Sequence, residues 1–188
     1  MTHRGSPILV VAGAGSGKTR VLTRRIAHLL ATNQAVPSEI LAITFTNKAA
    51  NEMKERVTEL VGPVGQRMWV STFHSACVRI LRRQGHHLGY PSSFSIYDTD
   101  DSRRLLTTIG KELGLDPRKY RPRGLQHQIS ALKNELIDHE GFAASAETEA
   151  QQVLADVYRM YSERLQRAGA MDFDDLIGNT VAALTLFD

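Results

Sequence analysis

The chain has 188 residues, of which 42% are hydrophobic and 23% are charged, an ordinary composition for one globular domain with a substantial insertion. Its formal net charge of +3 is too small to predict a nucleic-acid partner by itself, and no apolar run approaches the roughly 20 residues that cross a membrane. A single cysteine, Cys77, excludes an intramolecular disulfide and favours a reducing cytoplasm. The histidines show no zinc-like spacing with that cysteine, so we expect no structural metal.

The segment from Pro7 to Thr19 predicts a site for a nucleoside triphosphate. We expect the apolar run Ile8 to Val11 to be a buried parallel strand that leads into a glycine-rich turn and then a helix. Such a turn directs successive backbone N–H groups at an anion, while Lys18 contacts the β- and γ-phosphates and the Thr19 hydroxyl holds Mg²⁺. Ala12 stands where the pattern usually has glycine, and a small residue still fits there. The candidate ATP-binding residues are Ala12, Gly13, Ala14, Gly15, Ser16, Gly17, Lys18 and Thr19.

Two more strand–helix units are predicted, followed by a run of helices. We expect strands near residues 39–45 and 68–72, each followed by an amphipathic helix, and this alternation indicates a parallel sheet. Beyond residue 88 a very short strand is expected at 95–97. Helices are then predicted near residues 99–113, 125–136 and 147–167, with Tyr158 and Tyr161 in the core, and from Asp172 onward. The inward face of the last helix is predicted to be Phe173, Leu176, Ile177, Val181 and Leu184.

Polar segments follow the second and third predicted strands. Residues 45–48 and 72–74 offer hydroxyls, an amide and a lysine for phosphate oxygens, and Phe45 for stacking on a base. Loops at the carboxyl edge of a parallel sheet meet ligands, and this mixture suits single-stranded nucleic acid. Each segment also has a purely structural interpretation, in which Thr46 and Asn47 cap a helix and His74 caps or packs.

Four motifs in one order carry a family resemblance. The stretches AGAGSGKT, TFTNKAANEM, STFHS and MDFDDLI closely resemble superfamily 1 helicases of the UvrD/Rep/PcrA type. Residues 95–98 and 133–136 are most similar to the PcrA branch of that family. The resemblance covers nearly the whole chain.

The resemblance implies a role for each matching residue. It implies that Lys18 and Thr19 serve an ATP site with Mg²⁺, and that Arg20 lies against the nucleotide base. It also implies a track for single-stranded DNA, with Phe173 facing the DNA as well. The residues of that track are Phe45, Thr46, Asn47, Lys48, Thr72 and His74.

The same resemblance implies the domain organisation and the activity. The fold class is then α/β, an incomplete RecA-like P-loop NTPase sheet with an all-helical inserted subdomain. Residues 1–88 correspond to the first part of subdomain 1A, 89–169 to the helical insertion 1B, and 170–188 to the return to 1A. The whole protein is expected to be an ATP-dependent DNA helicase that moves along one strand and unwinds duplex 3′ to 5′ in DNA repair or replication. Its expected partners are single-stranded DNA, junction DNA and a second motor domain, and its expected place is the cytoplasm, at the nucleoid.

Several family features are missing, and two other function classes stay open. The adenine-reading glutamine segment, the Asp-Glu pair after an apolar strand and the arginine fingers have no counterpart among these 188 residues. We therefore expect an N-terminal fragment that binds ATP and DNA weakly and does not hydrolyse ATP appreciably. The alternatives are a small-molecule P-loop kinase and a non-catalytic module that binds nucleotide or DNA.

Overall fold

The structure is a computed structural model that describes residues 7–13 and 15–186. The chain divides into two compact units, residues 1–76 and 77–188, and the division falls inside a helix. The helices are α1 (Lys18–Ala31), α2 (Asn47–Val61), α3 (Phe73–Gln84), α4 (Thr99–Glu112), α5 (Pro122–Asn134), α6 (His139–Ala144), α7 (Glu149–Arg167) and α8 (Phe173–Leu186). The strands are β1 (Leu41–Thr44), β2 (Trp69–Thr72), β3 (Ser95–Ile96) and β4 (Ala170–Met171).

The first unit is a βαβ crossover with an additional helix. β1 and β2 pair in parallel over their full length, from Leu41 opposite Trp69 to Thr44 opposite Thr72, and α2 connects them. Helix α1 packs on α2, because both helices place an apolar stripe toward the same core. The buried side chains of this core are Ile26, Ala42, Met53, Val57 and Met68.

The second unit is largely helical. Helices α4, α5 and α7 enclose its main core, and Tyr158 and Tyr161 are buried there as the sequence predicts. Burying each large apolar side chain in such a core contributes roughly 1.5–3 kcal/mol. The short strands β3 and β4 pair in parallel, and Met171 of β4 belongs to a second cluster of buried residues. That cluster is Cys77, Leu81, Phe94, Met171 and Leu176.

The expected strand at Ile8 to Val11 is wrong. Residues 7–13 carry no regular secondary structure, and Leu9 and Val11 are 88% and 86% exposed. A strand needs a neighbour for its backbone hydrogen bonds, and within the described residues the sheet of this unit consists of β1 and β2. An apolar run alone therefore did not suffice to predict a strand.

The expected inward face of α8 is also wrong, except at Leu176. Phe173, Ile177, Val181 and Leu184 are between 40% and 63% exposed. The buried residues follow a different stripe, Leu176, Thr180 and Ala183. Helix α8 is apolar on most of its surface, so its sequence does not identify the packed side, and contacts with α5 and β4 select it.

The other predicted elements are confirmed, with two additions. The described helices and strands include α6 and β4, neither of which the sequence pattern predicted. Ala170 and Met171 are fully buried. Two small or flexible apolar residues are therefore enough to form a short strand when a partner strand is present. No helix among residues 7–13 and 15–186 combines the length and apolar character needed to cross a bilayer.

Candidate nucleotide and nucleic-acid sites

The glycine-rich turn leads directly into α1, as the phosphate-site prediction requires. Gly15 and Gly17 have φ angles of +75° and +88°, which are left-handed conformations that favour glycine. Lys18 is the first residue of α1, and its Nζ donates hydrogen bonds of 2.7 Å to the carbonyl oxygens of Ala12 and Gly13. The loop thus curls around the lysine ammonium. Ala14 lies outside the described residues.

The first turn of α1 fits an anion. Gly17 occupies the N-cap position and supplies no side-chain hydrogen bond, and the turn contains no acidic residue. Lys18, Thr19 and Arg20 are all exposed. Uncapped N–H groups and the positive end of the helix dipole attract a phosphate. Adding a Cβ at Gly13 or Gly15 would meet no other atom within 4 Å, so space is open beside the loop.

The strand register brings the two polar segments together. Thr44 and Thr72 are paired at the carboxyl ends of β1 and β2, so residues 45–48 and 73–74 continue from the same sheet edge. Phe45 is 94% exposed and Phe73 is 59% exposed, although large aromatic side chains are usually mostly buried. Two exposed aromatic rings at one edge are suited to stacking on bases.

Two of the candidate threonines have structural roles at this edge. The Thr46 side chain accepts a hydrogen bond of 3.1 Å from the Ala49 backbone N–H and caps α2. The Thr72 hydroxyl accepts from the Ser75 backbone N–H at 3.3 Å and donates to the Ser75 hydroxyl at 2.9 Å. These contacts begin the helices that carry Asn47, Lys48 and His74, while Phe45 lies just before the cap of α2. All four of these remaining candidates are exposed.

The sequence pattern did not predict a buried ionic network at the start of α8. Lys133, near the end of α5, lies 2.7 Å from Asp172 Oδ2 and 2.7 Å from Asp175 Oδ1. Tyr161 of α7 donates a hydrogen bond of 2.9 Å to Asp172. Asp172 and Asp175 also accept each other's backbone N–H, which caps α8. Phe173, a candidate DNA contact that is 46% exposed, lies between these two carboxylates in the chain.

The sequence of α5 contains one local signal that Lys133 is buried. Lys133 follows the buried residues Leu125 and Ile129 at intervals of four, so it continues the core stripe of α5. A lysine on such a stripe is buried, and a buried ammonium requires acidic partners. The sequence did not reveal which of the acidic residues would supply them.

Burial and charge shift the pKa values of these groups in different directions. Burial opposes the charged form of Lys133, but Asp175 and Asp172 outweigh it and raise the pKa of the ammonium. Burial alone would raise the pKa of Asp172, yet Lys133 and the hydrogen bonds to that carboxylate lower it. Burial raises the pKa of Asp175 to about 6, a shift that Lys133 reduces and Asp172 reinforces. Asp175 is therefore the member of this network whose charge changes in mildly acidic solution.

Comparison with known proteins identifies the family. Residues 1–187 match the UvrD/REP helicase N-terminal domain. The chain is 59% identical to the ATP-dependent DNA helicase UvrD1 of Mycobacterium bovis over all of this chain and 25% of that protein. It is 57% identical to the UvrD1 of Mycobacterium leprae, with the same coverage. It is also 52% identical to the ATP-dependent DNA helicase PcrA of Bacillus subtilis, over 97% of this chain and 24% of that protein.

The chain thus spans about a quarter of the length of the curated relatives that it matches. The match extends over almost every residue of the chain, including the four ordered motifs and both compact units. The chain belongs to the UvrD/REP helicase N-terminal domain family.

Proposed function

We propose that this chain is the N-terminal ATP- and DNA-binding part of an ATP-dependent DNA helicase. The whole protein translocates along single-stranded DNA and unwinds duplex in the 3′ to 5′ direction, in repair or replication. The observation that carries the proposal is the pairing of Thr44 with Thr72, which brings two polar, aromatic segments to one sheet edge in a helicase-family chain. Both segments belong to the same compact unit as the glycine-rich turn.

In this proposal the ATP site consists of the glycine-rich turn and the start of α1. The Lys18 ammonium exchanges the carbonyl oxygens of Ala12 and Gly13 for the β- and γ-phosphates, and the uncapped N–H groups of α1 bind the phosphates as well. Thr19 supplies a hydroxyl oxygen, the hard ligand that Mg²⁺ prefers, and Arg20 lies against the base. Hydrolysis of bound ATP by water to ADP and phosphate would supply the free energy that drives translocation. The open space beside Gly13 and Gly15 supports this assignment.

The proposed track for single-stranded DNA lies at the carboxyl edge of β1 and β2. Phe45 stacks on a base, while Asn47, Lys48 and His74 contact the sugar–phosphate backbone. Thr46 and Thr72 contribute through the helix caps described above, and each keeps an oxygen at this edge. Phe173, in the second unit, contacts the DNA separately.

The remaining assignments concern organisation and partners. We propose that residues 1–88 and 170–188 belong to subdomain 1A and that residues 89–169 form the inserted subdomain 1B. The basic residues near the start of α5 contact junction DNA, and a second motor domain completes the ATP site. We propose that the protein acts at the nucleoid, in the cytoplasm. The basic residues are Arg118, Lys119, Arg121 and Arg123.

ATP hydrolysis with and without single-stranded DNA tests the proposal. It is measured for this chain and for the protein from the full reading frame, each beside its Lys18→Ala variant. We expect strong DNA stimulation in the longer protein, its loss with Lys18→Ala, and no appreciable hydrolysis by the 188-residue chain alone. Phosphate transfer to a small molecule without DNA would instead indicate a kinase. Binding without hydrolysis in either protein would indicate a non-catalytic module, and both results would contradict the proposal.

A further inference from the structure

Positive charge is concentrated on the last turns of α3 and on the 3₁₀ turn Gly85–Leu88 that follows this helix. No aspartate or glutamate occurs between Glu59 and Asp98, so this part of the chain supplies no acidic side chain of its own. The basic and imidazole side chains here belong to the second unit and form what we call the α3 basic surface. Its residues are Arg79, Arg82, Arg83, His86 and His87.

Two arginines of this surface lie on the side of α3 that faces away from the core. Cys77, Leu81 and Gly85 recur at intervals of four residues and are buried, so they define the packed side of the helix. Arg79 and Arg83 are each two residues from Leu81, which places them on roughly the opposite side at 3.6 residues per turn. Both are exposed, and their Cβ atoms are about 5–6 Å apart because they are separated by one helical turn.

Arg82 and Arg83 carry charge that no acidic group among the described residues balances. The Arg82 guanidinium stacks on the Phe94 ring at 3.9 Å, and its Nη1 donates a hydrogen bond of 2.7 Å to the Ser92 carbonyl oxygen. Phe94 is buried, so this stacking fixes the Arg82 side chain against the core. The Arg83 side chain has no partner in the part of the chain that the structure describes. The surface therefore combines one fixed cation with one that can turn toward a ligand.

The length of the surface favours a duplex as its polyanionic ligand. From Arg79 to His87 the surface extends about 12 Å along the chain at about 1.5 Å per helical residue. Duplex DNA carries one negative charge per about 1.7 Å of its axis, whereas each strand alone carries one per about 3.4 Å. A duplex therefore presents about twice as many phosphates as a single strand over the same distance.

The surface also lacks the groups that a single strand requires. Tracks for single-stranded nucleic acid combine positive charge with aromatic rings on which unpaired bases stack. The Phe94 ring is 1% exposed and is covered by Arg82, so it offers no face to a base. The His86 and His87 rings contact each other, with centroids 3.9 Å apart. These side chains thus provide donors for phosphate oxygens rather than a stacking platform.

Resting on the proposed function, we propose that the α3 basic surface binds the sugar–phosphate backbone of duplex DNA. Arg79 and Arg83 contact phosphate oxygens, and the fixed charge of Arg82 adds to the attraction. Phosphate contacts carry no sequence information, so this surface holds a duplex of any sequence, as a protein that moves along DNA requires. It is distinct from the single-strand track, whose residues at the β1–β2 edge belong to the first unit.

Fluorescence anisotropy with a labelled blunt-ended duplex tests the assignment over a range of salt concentrations. A blunt duplex has no single-stranded tail for the track at the β1–β2 edge. We expect Arg79→Ala and Arg83→Ala each to weaken duplex binding about threefold and to reduce the slope of log affinity against log salt by about one. Arg83→Lys keeps the charge and is expected to keep the slope of the wild type.

Arg67→Ala is the matched control. Arg67 is exposed, has no partner among the described residues and lies outside the α3 basic surface, so its removal changes the net charge by the same amount. Circular dichroism establishes that each variant is folded. Wild-type affinity and slope in the double variant Arg79→Ala/Arg83→Ala, or a change no larger than that of Arg67→Ala, would overturn the assignment.

Two further measurements test the class of ligand. We expect the double variant to lose more affinity for the duplex than for a single strand of the same length, and a larger loss for the single strand would overturn the duplex assignment. We also expect unlabelled duplex to displace the labelled duplex at a lower charge concentration than poly-glutamate does. The reverse order would assign the surface to an acidic protein segment and overturn its assignment to DNA.

The outcomes also separate this inference from the proposed function. Single-strand binding that is lost with Phe45→Ala, together with duplex binding that is unchanged in the double variant, would overturn the α3 basic surface and leave the DNA track intact. A wild-type chain that binds neither a single strand nor a duplex would contradict both.

Discussion

Lys133 Nζ lies 2.7 Å from Asp175 Oδ1, and this contact joins the end of α5 to the first turn of α8. The same ammonium contacts Asp172, so one buried cation balances two carboxylates. Tyr161 adds α7 through its hydrogen bond to Asp172. Three helices of the second unit therefore meet at one polar junction, next in sequence to the candidate DNA contact Phe173.

Replacing Lys133 with methionine should destabilise the second unit strongly. The side chains of Lys133 and Asp172 are 7% and 11% exposed, so the substitution leaves two carboxylates buried without their cation. Breaking a buried ion pair typically costs about 3–5 kcal/mol. Urea denaturation followed by circular dichroism measures the effect, with the exposed Lys111→Met on α4 as control. Equal unfolding midpoints for the two variants would contradict a stabilising role for the network.

Asp175→Asn should change how stability depends on pH. The pKa of Asp175 is raised to about 6 in the folded chain from an ordinary value of 3.8, so the folded state binds this proton more tightly than the unfolded state. Wild-type stability should therefore gain, relative to Asp175→Asn, as the pH falls through 6 toward 4. The lowered pKa of Asp172 has the opposite effect on the free energy of unfolding. The stability that it contributes is lost only below pH 3.8, the ordinary pKa of this carboxyl.

Urea denaturation of both proteins at several pH values between 7 and 4.5 measures this difference. The free energy of unfolding of the wild type minus that of Asp175→Asn should increase steadily as the pH is lowered. A constant difference across this range would show that Asp175 does not titrate there.

Gly17→Ala should weaken nucleotide binding. Gly17 has a φ of +88° at the start of α1, and an L-residue in a left-handed conformation costs about 1–2 kcal/mol. The strain would displace the N–H groups proposed to face the phosphates. Gly124→Ala is the matched control, because its Cβ would meet nothing within 4 Å and it lies inside α5 without a positive φ. That control should stabilise the chain by about 0.4–1 kcal/mol.

Titration with a fluorescent ATP analogue compares these two variants with the wild type. Gly17→Ala should show the lower affinity, and Gly124→Ala should bind as the wild type does. Undiminished binding by Gly17→Ala would mean that the left-handed turn is not needed to hold the phosphates.

Phe45→Ala should weaken binding to single-stranded DNA without lowering stability. Phe45 is 94% exposed at the end of β1, so its removal leaves no cavity, whereas stacking on a base is typically worth about 1–3 kcal/mol. Phe94→Ala is the opposite case, because Phe94 is 1% exposed and its truncation should cost about 3–5 kcal/mol of stability. Anisotropy and thermal denaturation of both variants separate the two effects. A large stability loss in Phe45→Ala would show that this ring packs rather than binds.

The positions of most helices were predictable because their signals are local. Asp98 accepts the N–H groups at the start of α4, and apolar residues recur at helical spacing through α7. The strands β1 and β2 were predicted for a similar reason, since each is a short apolar segment followed by an amphipathic helix. Local capping and periodicity are properties of a few neighbouring residues, so the sequence alone reveals them.

The candidate sites were predictable in part. The glycine-rich turn before Lys18 and the exposed residues after β1 and β2 lie where the motifs indicated, because a glycine pattern and a strand end are both local features. The chain order of four motifs also pointed to the helicase family that comparison confirms. The assignment of individual residues to ATP or DNA stays a prediction.

The tertiary structure decided the features that depend on distant partners. The apolar sequence of residues 8–11 is typical of a buried strand, but a strand forms only where a neighbouring strand pairs with its backbone hydrogen-bonding groups. The buried side of α8 depends on which elements pack against it, since most of its surface is apolar. Lys133 forms an ion pair with Asp172, which lies 39 residues later in the chain, and no local pattern specifies such a pair. By itself the sequence determined the local elements and the family, whereas packing between distant segments decided strand pairing, the buried face of α8 and the ionic network.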